Sequence, residues 1–112
     1  MRVTLDIDKT KIERVKGKAV LLKRAYPYAE VRYRTSSSGN GGHVEMYERY
    51  GLVDLETGYN IRRLLGDHDA RIRIDLMRGK NDNVMLPLQV LFDYKIIDGV
   101  KKEAGKWCYV YE

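Results

Sequence analysis

The chain has 112 residues, which sets the scale at one small domain with a single modest core. Its 44% hydrophobic and 33% charged residues read as a soluble globular chain, and no apolar run approaches the roughly 20 residues of a membrane helix. Lys and Arg number 21 against 16 Asp and Glu, a formal charge of +5 that leans towards polyanions such as nucleic acid.

Cys108 is the only cysteine, so no internal disulfide can form. With no leader-like stretch in view, a reducing cytoplasm is the expected compartment. A single glutamine beside abundant Arg, Lys, Glu and Ile gives a thermophile-like composition, of the kind seen in archaeal proteins.

Residues 2–8, RVTLDID, alternate. A strand there places Val3, Leu5 and Ile7 on a core face and Thr4, Asp6 and Asp8 on the other. Thr10 and Glu13 have the spacing of a capping box, and Ile12, Val15, Ala19, Leu22 and Tyr26 recur at helical intervals until Pro27. Residues 30–35, EVRYRT, alternate again, as do residues 43–50, HVEMYERY. The intervening SSSGNGG makes the pair a hairpin with a glycine-rich tip.

A helix is expected over residues 54–65, ending at Gly66. Residues 67–79 fit either a strand or a helix capped by Asp67 or Asp69, with the helix slightly favoured. A strand at 89–97, a turn at Asp98-Gly99 and a final strand at 106–111 complete the chain. The expected fold is α+β: a ferredoxin-like or RRM-like split βαβ antiparallel sheet, two or three helices on one face, and an extra C-terminal strand. The first strand is expected at the centre of that sheet, next to the third.

In this plan the polar strand positions share the open face: Thr4, Asp6 and Asp8, then Arg32 and Arg34, then His43, Glu45 and Tyr47. Two carboxylates at i and i+2 suit a Mg²⁺ or Mn²⁺ ion in phosphoryl transfer. A glycine-rich loop admits phosphate close to backbone amides, and Ser38, Gly39, Gly41 and Gly42 are the candidates here. His43 could hydrogen-bond a phosphate oxygen, Arg32 and Arg34 could steer a nucleic-acid strand, and Tyr47 could stack on a base.

LDID, followed by Ser38-Gly39-Asn40-Gly41-Gly42-His43 and by Leu91-Phe92-Asp93, resembles the three motifs of the archaeo-eukaryotic primase superfamily. The resemblance implies an RRM-like catalytic palm for DNA replication, with Asp6, Asp8 and Asp93 as metal ligands and His43 at the nucleotide phosphates. Asp75 is a second candidate for the third carboxylate. Neither the second subdomain nor the zinc ligands usual in that superfamily are found in this chain.

A second resemblance is to rolling-circle initiators. It rests on His43 and Glu45 sharing one strand face and on Tyr59, which would then be a nucleophile on the following helix. Two readings involve no catalysis. One is a single-stranded DNA- or RNA-binding sheet. The other is a homodimer paired through the aromatic C-terminal edge strand.

Overall fold

The computed structural model describes residues 2–67, 71–73, 77 and 91–111. The first strand, β1 (Arg2–Asp8), leads into helix α1 (Ile12–Ala25). A hairpin follows, β2 (Glu30–Thr35) and β3 (Gly41–Tyr47), and then helix α2 (Leu55–Leu65). Residues 71–73 and 77 are helical, in keeping with the helix favoured over 67–79. Three short strands close the chain: β4 (Tyr94–Ile97), β5 (Val100–Glu103) and β6 (Cys108–Val110). No helix among the described residues is long and apolar enough to cross a membrane.

The alternation in the sequence becomes a two-faced sheet. Val3, Leu5 and Ile7 of β1 are buried with Val31, Val44, Met46 and Val110 against Val15, Ala19 and Leu22 of α1. Each of the Val, Leu, Ile and Met side chains contributes about 1.5–3 kcal/mol through burial, so one apolar helix face over one apolar sheet face makes up most of the core. The strands run in the order β1-β3-β2-β6, and every pairing among them is antiparallel. Inserting β3 between β1 and β2 is the split βαβ arrangement expected from the sequence.

The structure revises several expectations. Helix α1 is capped at Lys11, with no side-chain cap bond, so Thr10 does not form the expected capping box. The segment expected as a strand at 89–97 is a strand only at Tyr94–Ile97 among its described residues. It pairs with β5 in a separate two-stranded ribbon and does not join the main sheet. The ribbon turns at Asp98 and Gly99, both with positive φ (51° and 75°), as a tight two-residue hairpin requires. The C-terminal strand does join the sheet, beside β2.

β1 was expected at the centre of the sheet, but β3 is its only strand neighbour among the described residues. Side chains satisfy its outer backbone groups instead. Asp67 Oδ1 accepts from the Asp6 N–H at 2.8 Å. Arg71 donates to the Thr4 carbonyl at 3.3 Å and to the Thr4 hydroxyl. The Asp67 carboxylate also pairs with Arg62 and Arg71, so a buried ion network closes the edge that a further strand would otherwise cover.

Helix α2 is held at both ends. The Asp54 side chain accepts from the Thr57 N–H at 2.8 Å, and Gly66 terminates it at φ 90°. Lys18 of α1 donates to the Leu65 carbonyl at 2.6 Å, tying the two helices together. Gly66→Ala is expected to destabilise the fold by about 1 kcal/mol, because an L-residue is strained in the left-handed region; a lower urea midpoint would report it.

Candidate functional site

The sheet face opposite α1 is arranged in rows set by the strand register. Asp6, His43 and Arg34 align across β1, β3 and β2; then Thr4, Glu45 and Arg32; then Arg2, Tyr47 and Glu30. Tyr109 of β6 lies opposite Arg32 and extends the second row. The polar alternation read from the sequence therefore does place these side chains on one face. Thr4 is fully buried there, under Arg71.

The first row is tightly organised. Arg34 is only 5% exposed, and its Nε donates to His43 Nδ1 at 2.9 Å. An arginine can only donate, so Nδ1 is the unprotonated nitrogen and the neutral ring carries its proton on Nε2. That nitrogen lies 3.7 Å from Asp6 Oδ1, beyond direct hydrogen-bond range, and both residues line the same cavity. Burial, followed by the Arg34 and Arg71 charges, lowers the His43 pKa from 6.5 to about 4 despite the opposing influence of Asp93. At neutral pH His43 is an uncharged hydrogen-bond donor.

Asp6, Asp8 and His43 line one cavity of about 460 Å³ with Ser36, Ser37 and Ser38 of the β2–β3 turn. Phe92, Tyr94 and Lys95 line it as well. The serine turn is fixed against the carboxylate strand: the Lys9 N–H donates to the Asn40 carbonyl at 3.1 Å, and Ser36 and Ser38 hydroxyls meet at 3.0 Å. Gly39 supplies the positive φ of the turn.

Gly41 and Gly42 fall outside the loop. Both are buried in β3, where β1 and α1 come too close for a side chain. A Cβ on Gly42 would lie 2.8 Å from the Val15 methyls and 2.6 Å from the Arg34 carbonyl oxygen. These two glycines therefore have a packing role that accounts for them without phosphate.

Asp93 is exposed at 84% and accepts from Arg34 at 3.0 Å; it is not among the residues lining the cavity. Asp75 lies outside the described residues. Among the described residues, no three His, Cys, Asp or Glu side chains form a group able to hold a metal ion. Tyr59 is 3% exposed, with Arg62 over its ring, so the phenol is not presented to a phosphodiester.

A second cavity, of about 390 Å³, occupies the other end of the face and is lined by Arg2, Glu30, Arg32, Glu45, Tyr47 and Tyr109. Arg32 pairs with Glu45 at 2.9 Å. The guanidinium carbons of Arg32 and Arg34 both lie close to the Trp107 ring, 4.1 and 4.2 Å from its centre, at cation–π distance. Tyr47 and Tyr109 remain about half exposed.

Sequence reasoning missed Arg2, Trp107 and Tyr109, although the first and last strands carried the signal. Arg2 has the parity of Thr4 and Asp6, while Trp107 and Tyr109 alternate with Cys108 and Val110. Lys95 had no comparable signal, because its place depends on where the ribbon docks. No protein-family model, curated protein or solved structure matches the chain.

Proposed function

We propose that the chain binds single-stranded nucleic acid on the sheet face opposite α1, with a phosphate group received in the His43 cavity. One observation carries this reading: Tyr47 and Tyr109 are half exposed beside Arg2 and Arg32 on the face that also carries the His43 cavity. Exposed rings offer stacking surfaces to bases without regard to sequence. The net charge of +5 acts in the same direction.

Fluorescence anisotropy with a labelled single-stranded oligonucleotide tests the reading. Tyr47→Ala and Tyr109→Ala are each expected to weaken binding by about 1–3 kcal/mol, the range for one lost base–aromatic stack. Lys16→Ala, on the outer side of α1, is expected to leave binding unchanged. A wild-type chain without affinity for DNA or RNA at low salt would end the proposal.

The meeting of Asp6, Asp8 and His43 at one cavity favours a second reading, metal-dependent nucleotidyl or phosphoryl transfer on a palm-like sheet. Two carboxylates fit a Mg²⁺ or Mn²⁺ ion that retains water and takes phosphate oxygens as further ligands; they do not make an all-protein metal cage. Asp6 and Asp8 would hold the ion, which would offset phosphate charge. His43 Nε2–H would donate to a phosphate oxygen, and the serine turn would bound the phosphate's position. Mn²⁺ binding lost in Asp6→Asn/Asp8→Asn, with nucleotide incorporation by the wild type, is the outcome this reading requires.

A further inference from the structure

The β4–β5 ribbon carries a charge arrangement that its own fold does not balance. Its register sets Lys95 directly opposite Lys102. Side chains so placed start about 4.5–5.5 Å apart at Cβ, where like charges are destabilising. Among the described residues neither lysine makes a hydrogen bond or an ion pair. The other side of the ribbon differs: Lys101 pairs with Glu103 at 3.5 Å and lies 4.7 Å from the centre of the Tyr94 ring.

The ribbon lies almost wholly in solvent and contributes nothing to the buried core. Its base is closed by the Ala104 N–H donating to the Asp93 carbonyl at 2.8 Å, and it is tied to β2 by the Gly105 N–H donating to the Thr35 carbonyl at 3.0 Å and by Arg34 donating to Asp93 Oδ1 at 3.0 Å and to the Phe92 carbonyl at 3.3 Å. That anchorage brings Lys95 to the wall of the His43 cavity, which the serine turn also lines. The lysine pair therefore starts with Lys95 at the cavity wall, on the same cavity as Asp6 and Asp8, and crosses the ribbon to Lys102.

We propose that the ribbon is a backbone clamp: Lys95 and Lys102 grip successive phosphates of the strand whose path crosses the His43 cavity. This rests on the nucleic-acid reading above and adds to it a contact surface outside the sheet. An anionic backbone is the chosen occupant because it relieves the repulsion between the two lysines. The phosphates would be bound as point charges, independently of base identity.

The test is a salt series of anisotropy titrations with a labelled single strand of about 12 nucleotides, within the usual site size of such proteins. For single strands the slope of log K against log salt changes by about 0.7 per phosphate contact. Lys95→Ala and Lys102→Ala are each expected to flatten the slope by about that amount. Lys95→Glu is expected to weaken binding further while leaving the melting temperature equal or higher, since the introduced carboxylate would face Lys102 as an opposite-charge pair. Unchanged slopes in both alanine variants, with Tyr109→Ala still weakening binding, would overturn the clamp and leave the sheet-face reading standing. No wild-type binding at low salt would overturn both.

Discussion

Gly41→Ala is expected to cost about 3–6 kcal/mol, a large share of the stability of a domain this size. Two effects add. Gly41 has φ 127°, which an L-residue reaches only under strain, and a Cβ there would lie 2.1 Å from the Ile7 carbonyl oxygen. That oxygen belongs to the backbone of the neighbouring strand, so no rotamer change relieves the clash. β3 would have to move away from β1, opening the register that brings His43 opposite Asp6. Gly39→Ala is the control: it has φ 75° with nothing within 4 Å of the new Cβ, so strain of about 1–2 kcal/mol is all that is expected. Urea unfolding of the two variants separates the effects, and equal losses would contradict the close approach at Gly41.

Acidification from pH 7 to pH 4 is expected to remove up to about 3 kcal/mol of stability through His43 alone. The sign follows from proton uptake. The ordinary histidine pKa of the unfolded chain is 6.5, whereas burial and the nearby arginines lower it to about 4 in the fold. Between those values the unfolded state binds the extra proton. The stabilisation is therefore complete above pH 6.5 and is lost as the pH falls towards 4. His43→Gln, which retains an acceptor for Arg34, should flatten this part of the profile. The difference between wild type and variant isolates it from the carboxylates, including Glu48, whose burial is outweighed by N–H donation from Leu52, Tyr50 and Val53 so that its pKa lies below the usual value. Bound phosphate should raise the His43 pKa, because a nearby anion favours the charged ring.

Local pattern carried the elements that alternation, a cap or a turn defines by itself. The alternation of residues 2–8 and 30–35 matches β1 and β2 residue for residue, and Asp54, Gly66 and Asp98-Gly99 mark a helix start, a helix end and a turn. Sequence alone failed where a distant neighbour decides. Gly41 and Gly42 look like loop residues until Ile7 and Val15 are placed against them. Residues 94–97 were expected within a strand at 89–97 of the main sheet, yet pairing with β5 across a tight turn takes them out of that sheet.

The candidate site was legible in the same uneven way. Asp6, Asp8, Ser38 and His43 meet at one cavity because alternation sets their face and the β2–β3 hairpin sets their register. Arg34 was on the expected face, but its charge is engaged with His43, Asp93, the Phe92 carbonyl and Trp107. No spacing rule announces such a set of long-range partners. The closure of the β1 edge by Asp67 and Arg71 is equally non-local.

The proposed nucleic-acid-binding surface is the sheet face opposite α1. Amide chemical-shift mapping of the isotope-labelled chain with a short single-stranded oligonucleotide at low salt tests it most directly. Saturable shifts are expected at Arg32, His43, Tyr47, Lys95 and Tyr109, with Arg14, Lys16, Leu21 and Arg24 on the outer side of α1 unmoved. Shifts centred on α1, or no shifts at any oligonucleotide concentration, would contradict it.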